Sequence, residues 1–201
     1  MSTTEISAKD VKALRDRTGA GMMDAKKALI EAEGDAEKAI ELLRVRQGKK
    51  IQDLGERVAT EGTVQSYVHA GNQVGVLIEV DCNTDFVAKN DDFTGFAREV
   101  AMQIAASPTV AYVTREDVPQ EARDAETRIY EQEAVDKPEN VRDKIVSGKL
   151  DSWLSTIVLL DQEMHNPKHE GKTVQQLRDE LTATTGENVV IRRFVRYEVG
   201  S

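Results

Sequence analysis

Thr63-Val64-Gln65-Ser66-Tyr67-Val68-His69 and Val74-Gly75-Val76-Leu77-Ile78-Glu79-Val80-Asp81-Cys82 flank the tetrapeptide Ala70-Gly71-Asn72-Gln73. Both flanks are rich in β-formers, and the residues between them favour a turn, so the segment reads as a β-hairpin. Immediately downstream, Asn90, Asp91 or Asp92 can cap a helix whose Phe93, Phe96, Ala97, Val100, Ala101 and Ile104 form the strongest amphipathic stripe in the chain. Ser107-Pro108 stops that helix. Helical segments are expected near 119–135, 138–147 and 150–160, with Pro119 and Pro138 in first-turn positions and Gly148 separating the last two. Residues 161–172 read as a polar loop. Thr173 and Gln176 then make a capping-box pattern for a helix carrying Val174, Leu177 and Leu181, which Gly186 ends. The last element is a strand from Val189 to Val199. Two strands, several helices and one strand predict an α+β domain with a three-stranded antiparallel sheet.

Upstream of the hairpin, three short helices open the chain. Ser7 and Asp10 form a capping-box pattern for the first, Val11 and Leu14 give it an apolar side, and Gly19 is a natural stop. Ala25, Ala28, Leu29 and Ala32 mark one buried face of the second, which Gly34 ends. Asp35 caps the third, with Ala36, Ala39, Ile40 and Leu43. Alanines let such helices approach closely, at the cost of a small core. Residues 44–61 turn polar and read as a connection, partly helical between Ile51 and Ala59. The organisation expected is therefore a three-helix domain at 1–50, a linker at 51–61 and an α+β core domain at 62–201.

Composition narrows the function. The chain has 201 residues, with 36 acidic against 27 basic and a net charge of -9. Phosphate contacts need Lys and Arg, so a free nucleic-acid binder is disfavoured, as is attachment to an anionic membrane surface. One cysteine, Cys82, permits neither an intrachain disulfide nor a thiolate metal cage. The opening Met1-Ser2-Thr3-Thr4-Glu5-Ile6 lacks the basic and apolar regions of a signal peptide. The longest aliphatic runs, Ile157 to Leu160 and Val189 to Ile191, are too short to span a bilayer. A cytoplasmic location is expected.

Catalytic patterns are poorly supported. Gly171-Lys172-Thr173 resembles the end of a P-loop, yet Asn166 stands where the first glycine is required and no strand precedes it. Gly19-Ala20-Gly21 lacks the third glycine of a dinucleotide fingerprint and follows a helix. His165 and His169 are spaced to share a metal on a helix, but Pro167 lies between them and no third ligand is evident. Cys82 reads as a buried structural thiol. No general acid/base pair stands out among the carboxylates. The expectation is a protein without catalytic residues, cofactor or metal. More informative are apolar residues where turns belong. Met22 and Met23 sit at a helix start, where they can plug the small helical core or dock a partner. Phe86 lies between a strand and a capped helix, where it can dock a partner or pack below the hairpin; its spacing favours the core.

Three stretches carry a family resemblance. Thr18-Gly19-Ala20-Gly21-Met22-Met23-Asp24-Ala25-Lys26-Lys27-Ala28-Leu29 looks like the N-terminal signature of the elongation factor Ts family. Cys82-Asn83-Thr84-Asp85-Phe86-Val87-Ala88-Lys89-Asn90 looks like its core signature, and Gly186-Glu187-Asn188-Val189-Val190-Ile191-Arg192-Arg193-Phe194 is similar to its ending. The match runs from about Val11 to the last residues, with the motifs in matching order. Ala25 stands where the family often has Cys, Asp81 where it often has Asn, and Leu159-Leu160-Asp161-Gln162-Glu163-Met164 replaces a Leu-Leu-x-Gln-Pro-Phe pattern.

The resemblance implies a factor that releases GDP from elongation factor Tu. It implies a ubiquitin-associated-like three-helix domain docking on the GTPase, with Met22 and Met23 in apolar contact and Arg15 and Lys26 in charged contact. It also implies a core that inserts Thr84, Asp85, Phe86 and Val87 near the partner's magnesium site. Longer members have two core subdomains and an added helical hairpin. One core copy here implies a homodimer, since a second copy would cover the exposed sheet face. A stand-alone interaction module without exchange activity is the alternative reading. The Thr84–Val87 segment discriminates, because an adaptor has no use for it.

Overall fold

The computed structural model describes residues 6–200. Expectations about the first residues, including the absence of a leader, lie outside that range. The chain forms two compact units that divide between Glu56 and Arg57.

The first unit holds α1 (Ala8–Thr18), α2 (Met22–Glu31) and α3 (Ala36–Gly55). Ser7 and Asp10 cap α1 reciprocally, each side chain taking the other's backbone N–H at 3.2 Å. Gly19 ends it in the left-handed region at φ 69°, which a side chain would resist. Asp35 caps α3 by accepting the backbone N–H groups of Glu37 and Lys38. Val11, Leu14, Ala25, Ala28, Leu29, Ala32, Ala39 and Leu43 form the core, and three alanines in it are fully buried. α3 is longer than its apolar face. It continues through the polar stretch to Gly55, so the residues from 44 to 55 are helical and only the first part of the segment read as a linker, 51–55, belongs to the helix. Arg44, Arg46, Gln47, Lys49 and Lys50 are strong helix formers that need no buried face to stay helical once α3 is nucleated. Arg46 also pairs with Glu31 of α2.

The second unit is built on a sheet of order β1-β2-β3, with β1 (Glu61–Val68), β2 (Val74–Cys82) and β3 (Val190–Glu198), antiparallel throughout. The α+β expectation therefore holds. The hairpin turns through Gly71 and Asn72, both at positive φ. Gly62 faces Asp81 across β1 and β2, where a Cβ would stand 2.3 Å from the Val80 carbonyl oxygen; only glycine fits. Val76, Ile78, Val80 and Cys82 alternate onto the inner face. α5 (Asp91–Ala106) packs there through Phe93, Ala97, Val100, Ala101 and Ile104, all fully buried. α8 (Val174–Thr185) adds Val174 and Leu181 to the same core. Between β2 and α5 lies the single turn α4 (Asp85–Ala88).

α6 (Gln120–Glu133) and α7 (Glu139–Ile157) form a helical hairpin closed by a short connection. It has its own cluster of Val118, Leu154 and Val158 with Tyr112, Ala122 and Trp153. Gly148 does not divide α7, because nothing forces its backbone out of the helical region and its exposed site needs no side chain. The polar loop at 161–172 is ordered by two buried contacts. Met164 enters the core, and Gln103 of α5 donates to the Glu163 carbonyl at 2.9 Å while accepting the His165 N–H at 2.8 Å.

The outer face of the sheet is exposed and apolar in its middle. Leu77 of β2 lies in register between Ser66 and Val195, and the neighbouring row runs Val68, Gly75, Tyr197. Val64, Val68, Leu77, Val195 and Tyr197 all reach solvent there. No helix among the described residues is long and apolar enough to cross a membrane.

Candidate functional site

The turn after β2 places the four core-signature residues. If the strand alternation of Ile78, Val80 and Cys82 continued, Thr84 and Phe86 would follow them inward. It stops at Cys82. Thr84 adopts extended angles, φ -129° and ψ 154°, and caps α4 by accepting the Val87 N–H at 3.4 Å. The helical turn then rotates the next residues apart by about 100° each. Val87 packs against the core, Ala88 is buried, and Asp85 and Phe86 point out. Phe86 is 84% exposed, so the spacing that favoured core packing misplaces it. An aromatic ring so open, on a rigid turn backed by β1, β2 and α5, is a ready-made contact for another molecule.

Asp85 forms an ion pair with Lys89 one turn on, at 2.7 Å. The Lys89 hydrogen bond and charge hold its carboxyl below the ordinary range and raise the Lys89 ammonium in return. Asp85 is therefore ionised at neutral pH. Cys82 is fully buried, and its thiol donates to the Thr84 carbonyl at 3.2 Å. Burial, followed by the nearby Glu187 charge, pushes this thiol up to about 11. It stays protonated and serves as a structural donor, as read from the sequence.

Residues distant in sequence complete the turn. The Glu187 carboxylate accepts from the backbone N–H groups of Asn83 and Thr84, each at 3.0 Å, and from the Thr84 hydroxyl at 2.6 Å. Asn83 accepts the Asn188 N–H at 2.8 Å and donates to the Val58 carbonyl at 2.7 Å. Sequence reasoning singled out Thr84–Val87 and missed this support. The Gly186–Phe194 stretch was noted only for its resemblance; a carboxylate directly after a helix-ending glycine was the available signal.

The residues expected to dock a partner all belong to the first unit. Met22 is 50% and Met23 63% exposed, so neither plugs the helical core, which the alanines already fill. Lys26 is exposed one turn on, and Ile30, also exposed, continues the row at the next i+4 position. Ile30 was not anticipated, although its spacing from Lys26 could have shown it. Arg15 is half-exposed on α1 beside Asp16. Gly21 caps α2 without a side-chain hydrogen bond, which leaves the helix start open around the methionines.

The other sequence candidates resolve simply. Lys172 pairs with Glu180, and Thr173 is a reciprocal helix cap with Gln176. His169 pairs with Glu99, which also meets Lys168. Burial raises Glu99, but the hydrogen bonds from Lys168 and His169 outweigh it and hold the carboxyl below its usual range. Among the described residues, no three of His, Cys, Asp and Glu converge to hold a metal ion.

Comparison with known proteins gives a consistent result. The family model described as elongation factor TS matches residues 4–168. An elongation factor Ts of Thermoanaerobacter sp. (strain X514) is 50% identical over 198 residues, covering 97% of this chain and 95% of that protein. One of Moorella thermoacetica is 51% identical over 197 residues, covering 97% and 96%. One of Trichodesmium erythraeum is 46% identical over 198 residues, covering 98% and 90%.

Proposed function

Because the chain belongs to the elongation factor Ts family, we propose that it is the guanine-nucleotide exchange factor of elongation factor Tu, acting in the cytoplasm on GDP release during translation and performing no bond chemistry itself. The observation that carries this reading is Phe86, an exposed ring on a fixed turn with Asp85 beside it. A GTPase holds GDP through backbone donors around the phosphates and through a magnesium ion whose ligands sit on movable elements. A ring wedged beside that site shifts those elements without supplying a competing ligand. Thr84 and Val87 anchor the wedge, and Asp85 engages polar groups of the partner or steadies the turn.

Met22, Met23, Arg15 and Lys26 supply the docking contact. Residues 1–56 contain as many basic as acidic residues, so the net negative charge falls entirely in 57–201. The helical unit is therefore the part that can approach an acidic GTPase surface with the least repulsion.

The partner is bound both with GDP and nucleotide-free, and linkage requires that GDP weaken the factor's grip by the same factor that the factor weakens GDP's. The factor itself pairs as a homodimer through the outer sheet face around Leu77, without direct contact to nucleic acid or membrane. Elongation factor Tu loaded with fluorescent GDP tests the reading. Catalytic amounts of the protein should speed GDP release by roughly a thousand-fold, equivalent to about 4 kcal/mol off the barrier. Unchanged release at saturating factor would refute it.

A further inference from the structure

The turn that displays Phe86 is held by a group outside its own segment. Glu187 follows Gly186, which ends α8 in the left-handed region at φ 70° and turns the chain back toward β2. Its two carboxylate oxygens meet three donors of one turn: the Asn83 and Thr84 backbone N–H groups and the Thr84 hydroxyl. All three are donors aimed at one point, which an acceptor-only group satisfies best. The same hydroxyl accepts the Val87 N–H and so passes the constraint into α4. Asn188 reinforces it through Asn83, and its own amide donates to the Arg57 carbonyl at 2.9 Å. Three remote segments, at 57–58, 83–84 and 187–188, thus meet where α4 begins. Cys82 fixes the Thr84 carbonyl from the buried side.

We infer that Glu187 is a positioning residue for nucleotide exchange: its carboxylate locks the Asn83-Thr84 turn so that α4 presents Phe86 as a rigid wedge. The inference rests on the exchange function proposed above. Glu187 need not touch the GTPase, since it acts on the ring through Thr84. Without the carboxylate, Asn83 and Thr84 lose their anchor, and the start of α4 samples orientations in which the ring enters the partner poorly.

The test measures GDP release from elongation factor Tu over a range of concentrations of the full chain, together with thermal melting. Glu187→Ala is expected to lower the saturating rate about ten-fold while leaving the half-saturating concentration within about two-fold, as for a group used only in the transition state. Glu187→Gln should recover most of the rate, because its oxygen still accepts the backbone donors and its amide can donate to the Thr84 hydroxyl oxygen. In a Phe86→Ala background, Glu187→Ala should cause no further loss, since the two residues act as one unit. A wild-type rate for Glu187→Ala, a raised half-saturating concentration with the rate kept, or an additive loss in the double variant overturns the inference. Should Glu187→Ala fail to fold, Thr84→Val removes the hydroxyl that both meets the carboxylate and caps α4 and must show the same selective loss; a wild-type rate there overturns it equally. A wild-type protein that leaves GDP release unchanged refutes the exchange function instead.

Discussion

Phe86 stands out from a turn whose other residues are tied down, Thr84 by Glu187, Val87 and Ala88 by the core. Its ring buries little in the free protein, so Phe86→Ala creates no cavity. The stability change expected is within about 0.5 kcal/mol, as for a surface substitution. Its effect on exchange should be far larger. An aromatic anchor at the centre of a contact is worth about 2 kcal/mol or more, which is roughly a thirty-fold loss of rate. Asp85→Ala breaks a solvent-screened pair with Lys89 that adds little to folding, so a slower exchange would come from lost engagement or a loosened turn. Melting curves recorded beside exchange kinetics decide the matter. A melt destabilised by about 3–5 kcal/mol, the signature of an emptied core site, with normal exchange in the folded fraction would sink the wedge.

α3 and α7 both run through glycines and polar stretches that carry no apolar stripe. For α7 this yields a stability forecast. A Cβ on Gly148 meets nothing within 4 Å, and the backbone is already helical. Gly148→Ala should therefore stabilise the protein by about 0.4–1 kcal/mol by removing freedom from the unfolded chain. A destabilised variant in denaturant titration would show that the hairpin bends there. For α3 the consequence is practical. A truncation at residue 50 would cut inside the helix, whereas one beginning at Arg57 follows the division between the compact units. The 57–201 fragment should keep its own melting transition yet bind elongation factor Tu at least ten-fold more weakly, a loss of about 1.4 kcal/mol or more. Binding as tight as that of the full chain would show that Met22, Met23 and Lys26 do not dock.

At the scale of the molecule, the open sheet face asks for a partner. Leu77, Val195, Val68 and Tyr197 lie on adjacent rungs of β1, β2 and β3 and reach solvent together. A two-fold pairing of this patch with itself buries it in both copies at once. Light scattering at micromolar concentration should return a dimer mass. Leu77→Lys, a charge placed amid the patch, should shift it to the monomer while the fold persists, since Leu77 already faces water. A monomer mass for the unaltered protein would count against the pairing.

Local chemistry in the sequence was enough to place most elements. The Ser7–Asp10 and Thr173–Gln176 boxes, the Asp35 cap and the glycine stops at 19 and 186 act within four residues of themselves, so they can be read without a fold, whereas the choice of Asn90 over Asp91 or Asp92 as the cap of α5 needed the structure. The alternation of β2 and the stripe of α5 likewise declare which side each element buries. The segment Thr84 to Val87 was legible as a site because its residue types are odd for a turn. Its geometry was not. Polar helix formers carry α3 past its apolar face and an exposed Gly148 leaves α7 whole, outcomes of local preference that no apolar stripe marks, whereas whether Phe86 pointed in or out turned on neighbours far along the chain. Phe86 faces solvent because the strand stops at Cys82 and Glu187, more than a hundred residues later, supplies the acceptors that let the turn form. Burial and hydrogen-bond satisfaction belong to residues brought together by folding, and no window of a few positions contains them.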